Sequence, residues 1–159
     1  MLYQLTVSAA EITRGSHTKL LVNDRSDIAA SAGADGVHLA TSSLPPEVVR
    51  KTVGDDFLIG VSTHSLAEIL SARAGKADFV VFGPVFQTPA KEIYGDPRGL
   101  KELETITSEV APFPVFALGG LTVERVSECM RAGAQGVAAI RMLSDPAQLD
   151  EIVREIRPS

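Results

Sequence analysis

The chain has a single cysteine, Cys129, among 159 residues, and no tryptophan. One thiol excludes an internal disulfide and a cysteine-based zinc site. Cys129 shares a helical spacing with Val123, Val126 and Met130, so it reads as a small core residue rather than a nucleophile. No apolar run approaches the ~20 residues of a membrane span. The opening MLYQLTVSAAEITRG lacks the basic start and long apolar middle of a secretory signal. Positive charge is also scarce: 15 Lys+Arg against 20 Asp+Glu leave a net charge of −5, which argues against a nucleic-acid or anionic-membrane surface. The expectation is a soluble cytoplasmic protein without nucleic-acid or membrane partners.

What is present is ordinary globular material, 45% hydrophobic and 22% charged, suited to one domain over residues 1–159. Short apolar runs recur at residues 19–22, 36–39, 57–61, 78–82, 113–118 and 136–140. They are too short for helices and do not alternate, the pattern of strands buried on both faces. Helix signals lie between them. Pro45-Pro46 can open one helix, Ser65 and Thr122 can cap others, and Asp145-Pro146 reads as a cap followed by a first-turn proline. Arg125 stands three residues after Thr122, so no capping box forms there.

The joints repeat. Residues 32–37 read AGADGV and residues 132–137 read AGAQGV, with AGKADF at 74–79 as a looser copy. In each, the first glycine can take positive φ to end a helix, and alanine lets helix and sheet approach. Six helix–turn–strand units of this kind indicate a parallel α/β chain. G-x-G-x-x-G is missing after the first strand, and polar residues follow almost every strand instead of gathering at one switch point. That distribution favours a (β/α) barrel over an open doubly wound sheet.

Gly119-Gly120-Leu121-Thr122 follows a strand and opens a helix, an arrangement whose N–H groups and dipole favour phosphate. The next strand ends at Ile140-Arg141, which can add an N–H and a guanidinium. Ser62-Thr63-His64 closes another strand; His64 can move protons near neutral pH, with the hydroxyls orienting it or the substrate. His38 lies within a strand and suits an internal hydrogen bond, and His17 sits in a polar loop. The longest irregular segment, from Gly83 to about Arg98, carries Thr88, Lys91 and Gly95 and suits a lid. Asn23-Asp24-Arg25 offers one carboxylate to Mg²⁺; a helix cap or an Asp24–Arg25 neighbour arrangement would use the same residues.

In order and spacing, LLVNDR (20–25), GADGVHL (33–39), IGVSTHS (59–65), DFVVFGPVFQTPAK (78–91), ALGGL (117–121) and AGAQGVAAIR (132–141) resemble the thiamine-phosphate synthase and thiazole tautomerase family of (β/α) barrels. The resemblance covers nearly the whole chain. It implies a small phosphorylated thiazole as ligand, bound by Gly119, Gly120, Ile140 and Arg141, with Asn23, Ser62, Thr63, Thr88 and Lys91 as substrate-binding residues and His64 as the catalytic residue.

The synthase branch joins an aminopyrimidine diphosphate to a thiazole phosphate, using Mg²⁺ and losing pyrophosphate. Asp24 matches one of its metal ligands. Where that branch carries G-Q-E-D, this chain reads Ala40-Thr41-Ser42-Ser43, so Ser43 replaces the second Asp. Ala90 replaces a threonine of the loop, and Arg141 replaces a serine. The tautomerase branch shifts protons on a thiazole carboxylate phosphate without a metal. With the diphosphate-binding features altered, the expectation favours tautomerase-like proton transfer at His64 and no cofactor. The synthase, with Mg²⁺ at Asp24, is the alternative, and a non-catalytic phosphoryl-ligand binder is a third reading. The S-T-H segment is common to both branches and does not separate them.

The family's chain also carries a strand, a helix and another strand ahead of the helix that residues 2–12 match. Leu2, Leu5, Ala9 and Ile12 have helical spacing and Gly15 is a stop, although Tyr3, Leu5 and Val7 could alternate as a replacement strand. The expected fold is therefore an incomplete TIM-type (β/α) barrel of about six parallel strands instead of eight. Exposed sheet edges in such a chain predict a homo-oligomer.

Overall fold

The computed structural model describes residues 1–87 and 96–156. The elements run α1 (Leu2–Thr13), β1 (Leu21–Asn23), α2 (Ser26–Ser31), β2 (Gly36–Leu39), α3 (Pro46–Val53), β3 (Leu58–Thr63), α4 (Leu66–Ala74) and β4 (Phe79–Phe82). They continue with α5 (Gly99–Val110), β5 (Val115–Leu118), α6 (Val123–Arg131), β6 (Gly136–Ala138), a 3₁₀ turn (Arg141–Leu143) and α7 (Leu149–Ile156). The six strands are parallel and ordered β1-β2-β3-β4-β5-β6. Each new strand adds beside its predecessor, with no reversal of order. That is the strand order of a (β/α) TIM-type barrel, with six strands in place of eight.

Packing divides the chain into two compact units, Met1–Val80 and Val81–Ser159, with the division falling inside β4. In the first unit β1, β2 and β3 pair in parallel, Val22 opposite Val37 and Val37 opposite Ile59. Val37 and Ile59 are fully buried, as are Ala29 of α2 and Ile69 of α4. In the second unit β5 pairs with β6, Ala117 opposite Val137. Leu103 and Val110 of α5 and Cys129 of α6 are buried there. Burial pushes the Cys129 thiol up to about 11, consistent with a packing role.

Residues 2–13 form a helix, which excludes the replacement strand. Its buried residues are the small Thr6 and Ala10, while Leu2, Tyr3, Leu5 and Ile12 are exposed. The Pro45-Pro46 start holds, with Pro46 in the first turn of α3. Ser65 caps α4, its hydroxyl accepting from the Glu68 N–H at 3.3 Å. Two start signals act differently. Thr122 occupies the N-cap position of α6, but its side chain accepts no capping bond; the hydroxyl bonds to Glu124 and lowers that carboxyl's pKa. Asp145 accepts from Ala147 N–H at 3.0 Å and Gln148 Nε2 at 3.0 Å, holding a turn, and α7 starts only at Leu149.

The repeated joint has one geometry. Asp35, Asp78 and Gln135 each donate a backbone N–H to the preceding strand, at Leu20, Ile59 and Val115 respectively. Asp35 and Asp78 also accept, through their carboxylates, the N–H groups of Leu20 at 2.9 Å and Ile59 at 2.6 Å. Positive φ falls at Gly33 and Gly133 as expected. In the looser copy it falls at Lys76 rather than Gly75. Lys76, like Gly33, stands two residues before the joint's Asp.

Candidate functional site

Candidate residues of the first unit sit at the C-terminal ends of β1, β2 and β3. Register places Asn23 opposite His38 and His38 opposite Gly60, so strand alternation puts His38, Gly60 and Ser62 on one face and Val61 and Thr63 on the other. His38 Nε2 and Ser62 Oγ are 2.8 Å apart, the internal bond expected of that histidine. Burial lowers the His38 pKa below its usual 6.5. Thr63 does not share the His38 bond; it is 1% exposed, and with Ser62, Leu39, Thr41, Ser43 and Glu68 it lines a cavity of about 360 Å³.

Asp24 stands at φ 60°, a left-handed turn that Asp tolerates. Its N–H donates to the His38 carbonyl at 2.9 Å. Ser43 donates its hydroxyl to Asp24 Oδ1, and the Ala40 N–H lies 3.4 Å from the same oxygen. Ser43 Oγ in turn accepts from Ala40 N–H at 2.8 Å. The Ser43 hydroxyl, followed by the Ala40 N–H, holds the Asp24 carboxyl below its ordinary range. Arg25 turns away and pairs with Asp27 at 2.6 Å, so the Asp24–Arg25 arrangement does not form. Asn23 is exposed.

His64 is half-buried just beyond β3. Its backbone N–H donates to the Glu68 carboxylate at 2.5 Å. With the Ser65 cap, this clamps the turn from β3 into α4 and fixes where His64 leaves the sheet. His17 is exposed, as its loop position suggested.

In the second unit Gly119 and Gly120 have φ 101° and 62°. Neither accommodates a side chain: a Cβ on Gly119 would lie 2.6 Å from Pro84 Cβ, and one on Gly120 would lie 2.7 Å from the Gln87 carbonyl oxygen. The turn is laid against residues 84–87, with Val85 N–H donating to the Leu118 carbonyl and Phe86 N–H to that of Gly119. Arg125 Nη1 donates to the Gly120 carbonyl at 2.6 Å while its guanidinium lies 4.6 Å above the Phe86 ring. Sequence reading noted Arg125 only for not being a capping-box glutamate, and thereby missed its support of the turn.

The Leu118–Ala138 register sets the Gly119-Gly120 turn and the Ile140-Arg141 segment at the same end of adjacent strands. Both Ile140 and Arg141 are exposed. This end offers backbone N–H groups and a guanidinium to an anion. Thr88, Lys91 and Gly95 lie outside the described residues. At the borders of that segment, Arg98 N–H donates to the Pro84 carbonyl at 2.9 Å and Gly99 N–H to that of Val85 at 3.0 Å.

The thiamine monophosphate synthase family model matches residues 1–143. The chain belongs to this family. A putative thiamine-phosphate synthase of Geobacter sulfurreducens is 44% identical over 146 residues, covering 91% of this chain and 68% of the relative. The thiamine-phosphate synthase of Chlorobium phaeobacteroides is 37% identical, covering 98% of this chain and 75% of that one. The solved thiamine phosphate pyrophosphorylase from Pyrococcus furiosus superposes with a TM-score of 0.78 at 31% identity, covering 98% of this chain and 77% of that chain. This synthase-family chain therefore belongs to thiamine biosynthesis. Among its described residues no helix is long and apolar enough to cross a membrane.

The Mg²⁺ that the family resemblance implies was tested against the donor set. Mg²⁺ prefers oxygen ligands in a strict octahedron, commonly one or two carboxylates with substrate phosphate oxygens. Among the described residues, no group of three His, Cys, Asp or Glu converges. Asp24 has Ser43 where a second carboxylate would stand, and that hydroxyl already occupies Asp24 Oδ1. These residues do not fit a preformed Mg²⁺ site.

Proposed function

We propose that this chain catalyses thiamine-phosphate formation, joining an aminopyrimidine diphosphate to a thiazole phosphate with release of pyrophosphate. The observation that carries the reading is the similarity to relatives named as thiamine-phosphate synthases, at 44% and 37% identity over stretches that include both the Asp24 and the Gly119–Arg141 strand ends. The tautomerase reading favoured from sequence yields first place, because these relatives are named synthases and the S-T-H segment is common to both branches.

In this reading the thiazole phosphate binds the N–H groups of the Gly119-Gly120 turn and the Arg141 guanidinium. Arg125 holds the turn through the Gly120 carbonyl. The thiazole nitrogen bonds to the pyrimidine methylene carbon as its bond to the diphosphate oxygen breaks, and the pyrophosphate leaves with the electron pair. In the first unit His38 and Ser62 pair at 2.8 Å, with Asn23 opposite His38 in register. The reading also includes self-association of the chain.

Chromatographic detection of thiamine phosphate, together with a pyrophosphate-release assay, tests the reading on the purified chain. Product that depends on both substrates is expected, with Arg141→Ala raising KM for the thiazole phosphate. Folded protein that makes none overturns it. Isomerisation of a thiazole carboxylate phosphate, lost in His64→Ala, would instead favour the tautomerase.

A further inference from the structure

We infer that Ser43, which bonds Asp24 Oδ1 and supplies a neutral hydroxyl in place of a second anion, leaves the Asp24 strand end without the charge to hold a divalent cation, so that residue 43 decides whether this end of the site is metal-independent. Three observations carry this. Asp24 is fixed by its own backbone: its N–H is bonded to the His38 carbonyl of β2, and its carbonyl accepts from Ser26 N–H at 3.2 Å. Its carboxylate faces the β2–α3 loop, where the Ser43 hydroxyl and the Ala40 N–H meet it. Ser43 is used on both sides, accepting from Ala40 N–H at 2.8 Å and donating its only proton to Asp24 Oδ1. Arg25, the adjacent cation, is engaged by Asp27 and leaves Asp24 to Ser43.

A charge-assisted O–H···O⁻ bond is short and strong for its class. With Oδ1 engaged by Ser43, Mg²⁺ would meet Asp24 through Oδ2 and find beside it a neutral hydroxyl rather than a second anion. Mg²⁺ sheds water reluctantly, and one carboxylate without a second anion is a weak inducement. An aspartate at position 43 would reverse the balance: it has no proton to donate, it repels Asp24, and a cation between the two would relieve the repulsion. This deepens the proposed function and rests on it only for the ligand that occupies the site; the metal readout below needs no ligand.

The test compares the wild type with Ser43→Asp, Ser43→Ala and Asp24→Asn, measuring thermal midpoints in Mg²⁺ and in EDTA and titrating Mg²⁺ by calorimetry. The wild type is expected to have the same midpoint in both and no saturable Mg²⁺ heat. S43D should melt lower in EDTA, recover in Mg²⁺ and bind the ion saturably. Should S43D fail to fold, S43A carries the test. It is expected to lose about 2–4 °C in midpoint equally in Mg²⁺ and EDTA, the shift of roughly one hydrogen bond in a chain of this size; an unchanged midpoint overturns the inference. A wild-type Mg²⁺ response that D24N abolishes overturns it, as does folded S43D that ignores the ion. If thiamine phosphate is made and that D24N-sensitive response appears, the inference fails and the reaction stands. If the wild type ignores Mg²⁺ and makes no product, the reaction fails and the inference stands.

Discussion

His38 couples the β2 strand end to pH. Burial lowers its pKa below 6.5 in the folded protein, against a smaller opposing pull from Asp24. A depressed pKa means that the unfolded chain takes up the proton first as pH falls. Its contribution is therefore complete above about pH 6.5 and lost as pH drops through the folded value. The urea midpoint of the wild type should fall between pH 7.5 and pH 5.5. His38→Gln has no titrating ring and retains a polar group for Ser62, so it should show a smaller fall over the same interval. Equal falls in both proteins would assign the pH dependence to other groups. Asp24 also has a lowered pKa, but its loss belongs to more acidic pH, around and below the ordinary carboxylate value, and does not confuse the comparison.

Between elements, one buried guanidinium ties a helix to two strand starts. Arg50 of α3 is 6% exposed. Its Nε and Nη2 donate to the Lys76 carbonyl at 3.2 and 2.9 Å, and Nη1 donates to the carbonyls of Gly54 at 2.8 Å and Phe57 at 2.5 Å. Nη2 also meets the Asp78 carboxylate at 2.7 Å, whose Oδ2 accepts the Ile59 N–H. Replacing it by an apolar residue removes the guanidinium donor from three backbone carbonyls and the counter-charge from Asp78, which is more costly than losing an exposed ion pair. Arg50→Met is expected to destabilise by about 2–4 kcal/mol in urea unfolding. Arg50→Lys should recover only part of this, because one ammonium cannot reproduce the planar fork. A loss under about 0.5 kcal/mol for R50M, the range of ordinary surface substitutions, would contradict this role.

The same elements show what could be read from the chain and what could not. Strand positions were legible because buried parallel strands are written as short apolar runs, and the joint was legible because AGADGV and AGAQGV repeat. Gly75 was misjudged for a geometric reason. The looser copy has one more residue between glycine and Asp78, so the left-handed position passes to Lys76. Gly75 serves close approach instead, since a Cβ there would lie 2.8 Å from a Glu47 carboxylate oxygen. Residues that act across large sequence separations left no local signal. Ser43 reaches back 19 residues to Asp24, and Arg50 reaches forward 28 to Asp78. The candidate site was legible as strand ends, whereas its wiring came only from the pairing of β1, β2 and β3.

At the scale of the whole molecule, α1 presents large apolar side chains to solvent. Leu5 is 66% and Ile12 83% exposed, with Leu2 and Tyr3 also exposed, while the buried face of the same helix presents only Thr6 and Ala10. Small residues on the inner face let α1 pack close to the rest of its unit. The larger apolar side chains are left pointing to water, where each burial would contribute roughly 1.5–3 kcal/mol. Leu5 and Ile12, seven residues apart, share one face of the helix, and exposed apolar side chains paired in this way are available to a partner. Among the described strands β1 has β2 as its single neighbour, so its other edge adds backbone donors and acceptors to what another chain could meet. Sedimentation velocity should show a concentration-dependent homo-oligomer. The double variant Leu5→Glu/Ile12→Glu should shift it to monomer with unchanged helical circular dichroism, because both sites are exposed and neither supports the core. A wild type that sediments as monomer at every concentration overturns self-association while leaving the thermal and catalytic tests of the site intact.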